Sequence, residues 1–390
     1  MLELLFLLLP VAAGYGWVMG RNSVRQQQRN TSKILTKQYF KGLNFLLSDQ
    51  PDKAVDTLIK MVDINTGNVE THIAMGNFFR HRGEIDRAIK VHQNLVNKKE
   101  VAGTQRENAM YELGRDYLLA GFLERAENAF LSLMDSKDYY LLAHQQLFNI
   151  YQTTKEWDRA IELAENMVEN HGDSDDLSKR IAHFYCEQAQ IAIHKEAYQQ
   201  AEKWLQRAVM SDEHSVRPWF LLAEIEKKQN NFAQAFDYLS QIPHRDVDWV
   251  SEAIPGLWQC AEQTGNWSAL KTILESHSNQ CATAYLALVS LSQKETSSSA
   301  AAQLLLEKIN KSPSMKGFHK LLSLYASEEA ENSDTQNSLM LLNKLIEKQI
   351  EQRPKYRCNG CGFSGKKIHW LCPSCKTWGE MKPIKGLDGE

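Results

Sequence analysis

Met75-Gly76-Asn77-Phe78-Phe79-Arg80-His81-Arg82-Gly83-Glu84-Ile85-Asp86-Arg87-Ala88 is the stretch on which the fold turns. An apolar run at helical spacing that stops at a glycine and at once resumes predicts two helices joined by a tight turn. Gly76 and Ala88 lack bulk, so two helix backbones can approach closely there, while Phe79 fills the space beside them. The spacing recurs. Taking the alanine as reference, copies are centred on Ala54, Ala88, Ala126, Ala160, Ala201 and Ala235. Twelve residues before each stand Gly42, Gly76, Gly114, Phe148, Ala189 and Ala223; nine before stand Phe45, Phe79, Tyr117, Tyr151, Ala192 and Glu226. Three intervals are 34 residues, and the others are 38 and 41. One such helix pair cannot bury its apolar face, whereas a stack of them can.

This pattern resembles the tetratricopeptide repeat, a helix-turn-helix unit of 34 residues. The resemblance is fullest in the second and third copies and fades in the fifth and sixth. Beyond Pro255, Leu257-Trp258, Gly265 and Trp267 to Leu270 read as a divergent seventh unit. Further helices are expected over 300–310, 317–326 and 338–351, with a polar loop at 328–334. In arrays of this kind the first helix of each pair lines the concave face. The position after its small residue points into the groove: Leu43, Asn77, Arg115, Asn149, Gln190 and Glu224. Asn77, Arg115 and Asn149 form a polar run, with Arg80 one turn further on and Tyr111 one turn back. These five are candidate partner contacts, since Arg and Asn hydrogen-bond an extended backbone or a carboxylate. The plain alternative is a solvated groove with no ligand.

The C-terminal end carries different chemistry. Cys358-Asn-Gly-Cys361-Gly362-Phe363 and Cys372-Pro373-Ser374-Cys375 are two Cys-x-x-Cys knuckles with ten residues between them. Cys358, Cys361, Cys372 and Cys375 are therefore expected to bind one Zn or Fe ion in a rubredoxin-like or zinc-ribbon module; two disulfides are the alternative. Four thiolates close a tetrahedral sphere and leave no position for substrate, so the site reads as structural. His369 lies between the knuckles as a neighbour. Gly360 to Lys367 nearly spells a phosphate loop but lacks the Ser or Thr for Mg²⁺ and a preceding strand. Tyr356, Phe363, Trp370 and Trp378 flank the knuckles, and Trp370 and Trp378 are expected in the ribbon's own small core. Lys366, Lys367, Lys376, Lys382 and Lys385 would balance the thiolates; docking onto the helices, or binding of single-stranded nucleic acid, are the other uses of such a surface. Cys186, Cys260 and Cys281 have no mutual spacing and read as buried free thiols. Neither His-Glu-x-x-His, Gly-x-Ser-x-Gly nor a dinucleotide fingerprint occurs, so an enzyme is not expected.

At the N-terminus, Leu2 to Met19 is apolar or small apart from Glu3. About 18 residues at helical rise cover about 27 Å, close to a bilayer's hydrocarbon thickness. No Lys or Arg precedes this run, and Arg21, Arg25 and Arg29 follow it, then Lys33, Lys37 and Lys41. That order predicts a retained anchor with everything after it in the cytoplasm. Arg21, Arg25 and Arg29 would then meet anionic lipid headgroups, or serve only as the stop-transfer charge that orients the anchor. A net charge of −3 over 390 residues gives no polyelectrolyte signal for nucleic acid, which is disfavoured as a partner. The expected plan is all-α: an anchor (1–20), a basic stem (21–36), a tetratricopeptide-like superhelix (37–352) and a small metal-binding module (353–390).

These features in this order, with the opening Met1-Leu2-Glu3-Leu4-Leu5-Phe6-Leu7-Leu8-Leu9-Pro10 and the closing Lys382-Pro383-Ile384-Lys385-Gly386-Leu387-Asp388-Gly389, resemble the lipopolysaccharide assembly protein B family of Gram-negative bacteria. The resemblance implies a single-pass inner-membrane protein facing the cytoplasm, with a rubredoxin-like metal domain. It further implies an adaptor for the membrane-bound zinc protease FtsH that promotes degradation of LpxC, the deacetylase that commits precursor to lipid A. Other lipopolysaccharide assembly proteins would be further partners. One residue departs from the pattern: Lys376 stands where rubredoxins usually carry Gly, which counts against electron transfer. From the residues alone two classes stay open, a tethered adaptor and a redox or single-stranded nucleic-acid-binding metalloprotein.

Overall fold

The computed structural model describes Met19 and residues 69–172, 174–295, 298–328, 333–387 and 389. The expected anchor, the stem with Arg21, Arg25 and Arg29, and the first repeat with Leu43 lie outside these residues. Among the described residues no helix is long and apolar enough to cross a membrane. The chain divides into two units, 1–154 and 155–390. The first contains α1 (Val69–His81), α2 (Ile85–Asn97), α3 (Thr104–Leu119), α4 (Leu123–Leu131) and α5 (Tyr140–Thr154). The second contains α6 (Trp157–His171), α7 (Asp175–His194), α8 (Tyr198–Ser211), α9 (Arg217–Lys228), α10 (Phe232–Ser240), α11 (Ile242–Arg245) and a 3₁₀ turn at Val247–Trp249. It continues through α12 (Val250–Thr264), α13 (Trp267–His277), α14 (Ala282–Glu295), α15 (Ser298–Lys311), α16 (Met315–Glu328) and α17 (Ser333–Gln352). A three-stranded antiparallel sheet in the order β2-β1-β3 ends it: β1 (Tyr356–Cys358), β2 (Ser364–Gly365) and β3 (Met381–Pro383).

The repeat is built on one turn. Five residues before the reference alanine the backbone enters the left-handed region every time: Gly83, Gly121, Lys155, Glu196 and Asn230, with φ between 59° and 79°. The next N–H then reaches back to the carbonyl five residues earlier, closing a Schellman motif. Glu84 donates to Phe79 (2.9 Å), Phe122 to Tyr117 (2.9 Å), Ala197 to Ala192 (2.9 Å) and Asn231 to Glu226 (2.8 Å). The accepting carbonyls belong to the residues nine before the alanine. Only two of these five turns carry glycine, which is why the sequence signal weakens in the later copies while the turn persists.

Close approach of the helices is equally specific. A Cβ on Gly76 would sit 2.3 Å from the ring of His92, and one on Gly114 would sit 2.7 Å from Phe130. In each pair the ring lies one turn past the reference alanine and fills the space that glycine leaves. Ala88, Ala126, Ala160, Ala201 and Ala235 are all fully buried.

The second unit centres on Trp249, Leu257, Cys260, Leu270 and Leu274. Cys186, Cys260 and Cys281 are buried thiols outside any disulfide, and burial pushes the Cys186 thiol up to about 12. The divergent seventh pair is formed by α12 and α13, closed by Gly265 at φ 77°. The loop expected at 328–334 is shorter than its polarity suggests. Helix α16 extends to Glu328, and Ser333 and Asp334 already belong to α17. Polar residues that look like loop are favoured in a helix's first turn, where their side chains meet unpaired N–H groups.

A non-glycine residue in the left-handed region costs about 1 kcal/mol. Glu196→Gly should therefore leave the melting temperature unchanged or raise it, whereas Gly83→Val should destabilise by about 1–2 kcal/mol. Denaturant titration of the two variants measures both.

Candidate metal centre

Residues 353–387 fold around sulfur. Strand β1 delivers Cys358, and Gly362 at φ 77° turns the chain back behind Cys361. The second knuckle repeats this, with Lys376 at φ 59° behind Cys375. The four Sγ atoms lie within 4.8 Å of one another, with Cys358–Cys375 and Cys361–Cys372 each at 3.7 Å. A disulfide needs about 2.05 Å, so the paired-disulfide alternative fails. Tetrahedral coordination with Zn–S bonds of about 2.3 Å requires sulfurs about 3.8 Å apart, and these pairs fit.

The knuckle backbone favours thiolates at Cys361 and Cys375, while burial pushes the Cys358 thiol up to about 11. The Phe363 N–H holds the Cys361 thiol below its ordinary value. The Thr377 hydroxyl, 2.8 Å from Cys375 Sγ, together with the Thr377 N–H, lowers Cys375 to about 6. Cys358 and Cys372 are buried, Cys375 is half-buried and Cys361 is exposed, so the cluster sits at the ribbon's outer edge. Four sulfurs would hold one Zn or Fe ion and fill its sphere. His369 is not among the ligands; its ring faces Phe363. The phosphate-loop lookalike, residues 360–367, is the first knuckle and strand β2, with no helix N-terminus for an anion.

The ribbon's core is Tyr356, Cys358, Cys372 and Met381, flanked by Phe363 and Ile368. Trp370 and Trp378, expected in that core, instead face the helices. Trp370 stacks on Trp249 (4.7 Å between centroids, 20°) and Trp378 on His183 (4.9 Å, 18°). Edges of Trp157 and Phe184 close around Trp378 at 6.1 and 5.9 Å. The reason is volume: a core of four residues on three short strands has no room for two indoles. The Arg217 guanidinium lies 5.6 Å from the Trp370 ring and 6.0 Å from Trp378, fixed by Glu187 (2.7 Å) and Gln190 (3.1 Å). Lys382 pairs with Asp246 and Lys385 with Asp248. Tyr356 hydrogen-bonds Glu252, and burial raises its phenol. His183, Arg217 and Trp249 went unread in the sequence because nothing local marks them.

The five candidate partner residues lie in the first unit and part ways. Arg80 is 6% exposed and faces inward, a correction to its expected place in the groove. It pairs with Glu112 and, at 2.9 Å, with Asp116, and it donates to the Asn77 side chain. Asp116 also meets His92 Nδ1 at 2.6 Å. Two acids on an otherwise apolar face of α3 demand buried cations, which is what holds Arg80 inside. Tyr111 is buried too, packed on Phe130 and Tyr139. Arg115 keeps 42% of its side chain exposed, 3.3 Å from Glu112, and Asn149 is exposed.

Two consequences can be measured. Lys376→Val should cost about 1–2 kcal/mol of ribbon stability and weaken metal retention under chelator, while Lys376→Gly should retain metal at least as well as the parent. The second concerns His183, which burial and the Arg217 charge hold well below the ordinary histidine range. The folded state refuses a proton that the unfolded chain takes near 6.5. Stability should be level above pH 7 and fall as pH drops below 6.5, by up to about 1.4 kcal/mol per pH unit. His183→Gln should flatten that slope in melting curves between pH 7.5 and 5.5.

A family model described as a rubredoxin metal binding domain matches residues 356–383. Lipopolysaccharide assembly protein B of Escherichia coli K12 is 40% identical over 391 residues, covering 100% of both chains. The protein of that name from Haemophilus influenzae is 35% identical over 399 residues, again covering 100% of both. Among solved structures, a tetratricopeptide repeat protein from Parabacteroides merdae aligns with 71% of this chain and 98% of its own, at 15% identity and a TM-score of 0.33.

Proposed function

This chain belongs to the lipopolysaccharide assembly protein B family, and on that premise we propose that it is a membrane-tethered adaptor regulating lipopolysaccharide synthesis. The observation that carries the reading is the closed four-sulfur cluster on a ribbon fastened to the helices by two stacked indoles. Such a site offers substrate no coordination position, and its bound metal supplies structure to a scaffold. In this reading residues 1–20 anchor the chain in the inner membrane and the bulk of it faces the cytoplasm. Anchoring raises the local concentration of a membrane partner without any new contact. The adaptor presents LpxC to the membrane protease FtsH, limiting the supply of lipid A precursor. Arg115 and Asn149, the exposed members of the polar run, supply contacts for an extended segment of client or protease.

The test uses a Gram-negative host whose own family member has been deleted and replaced by this chain. Arg115→Glu should lengthen the half-life of LpxC at least twofold and reduce crosslinking to FtsH or LpxC in intact membranes. Folding stability should fall by no more than about 1 kcal/mol, because the side chain is half-exposed and loses a pair with Glu112. An unchanged half-life with unchanged crosslinks would move the interface away from this groove. Loss of LpxC control on deleting residues 1–20, with helical content retained, is the result expected of the tether.

A further inference from the structure

Ribbon and helices do not close completely on one another. A cavity of about 240 Å³ remains beside the stacked rings, bordered by Lys179, His183 and Arg245 from the helices and by Trp370 and Lys382 from the ribbon. At about 30 Å³ per water it would hold several waters or one small polar molecule. Its wall carries Lys179, Arg245 and Lys382 against Asp212, Asp246 and Glu380, and it includes donors that the protein leaves unpaired. Arg245 Nε and His183 Nδ1 are buried and have no partner in the protein. Behind the indoles, Nε and Nη1 of Arg217 are also buried without a partner. Guanidinium nitrogens only donate, and an imidazole protonated at Nδ1 donates as well.

Of the three carboxylates on the same wall two are engaged, and the third, Glu380, borders the cavity from the ribbon. Asp246 is paired with Lys382, and Asp212 accepts the His214 backbone N–H at 3.1 Å. His183 is itself only 6% exposed, so its free nitrogen can be satisfied from the cavity and not from bulk water. Buried donors in native proteins find acceptors, and where the protein provides none the acceptor comes from outside. Lys179 at the exposed rim and the guanidinium of Arg245 add positive charge.

We propose that this seam binds one small oxyanion, of phosphate or carboxylate size, held by Arg245 and His183 and drawn in by Lys179. The bound anion touches both the helices and the ribbon and so tightens their contact. Neither the four-sulfur site nor the Arg115 groove takes part.

Isothermal titration of the full chain in zwitterionic nanodiscs tests this, with inorganic phosphate in one arm and acetate in the other. Sodium chloride keeps ionic strength constant, and metal content is checked before and after. Saturable binding of one anion per chain is expected in at least one arm, and the arm that saturates identifies the oxyanion. Arg245→Gln should weaken it at least tenfold and Lys179→Gln two- to fivefold. Arg217→Lys keeps the charge facing Glu187 and removes the fork, so it reports whether that guanidinium also reaches the anion. Absence of saturable binding in both arms overturns the proposal. So does affinity unchanged in both Arg245→Gln and Lys179→Gln, each checked for helical content; exposed Lys179 keeps the test open where a buried arginine variant fails to fold.

Discussion

Four sulfur atoms within 4.8 Å of one another set the terms for the C-terminal ribbon of this protein. Ionised without a cation they would repel; protonated they would leave a ribbon with a core of four side chains. A core of that size cannot offset the chain entropy of some thirty ordered residues. Metal coordination supplies the missing free energy, and the knuckle N–H groups aimed at Cys361 and Cys375 prepare the sulfurs for it. Because the ribbon has no room for its two tryptophans, they become the means by which it is fastened. Trp370 and Trp378 reach Trp249 and His183, and Arg217 sits against both indoles. Metal binding, ribbon folding and docking are thus linked steps.

The helical repeats depend on a different constraint, the left-handed residue that ends the first helix of each pair. The physical requirement is a φ value, and glycine only makes it cheap. Lys155, Glu196 and Asn230 meet the same requirement at some cost, and the 6→1 hydrogen bond is retained at Glu196 and Asn230. A motif defined by residue type therefore fades along the chain sooner than the geometry does.

That difference accounts for what could be read beforehand. The repeat, its alanine register and the four ligands follow from spacing, because each is a relation between residues close in sequence. The fate of Arg80 is not such a relation. Its partners Glu112 and Asp116 lie 32 and 36 residues away, on the next repeat, and only packing shows that two buried acids need it. Trp370 and Trp378 were misplaced for the same reason: whether an indole fills its own module or a neighbour depends on volumes that no local pattern encodes. Helix α17 was read too short because Ser and Asp serve equally in a loop and in a helix's first turn.

The docked ribbon also bears on the choice between adaptor and nucleic-acid binder. Binding a single strand needs a basic groove with aromatic faces left open for bases to stack. Here the face of Trp370 is stacked on Trp249 and that of Trp378 on His183. Lys382 and Lys385, read beforehand as part of a basic surface, are paired with Asp246 and Asp248. An exposed pair such as Lys385–Asp248 contributes about 0–1 kcal/mol and a phosphate could compete for it. The stacked rings are harder to release, because freeing them would leave Arg217 and His183 buried without the ring faces packed against them. Trp370, Trp378, Lys382 and Lys385, which looked like a recognition surface, are the internal fastening between ribbon and helices.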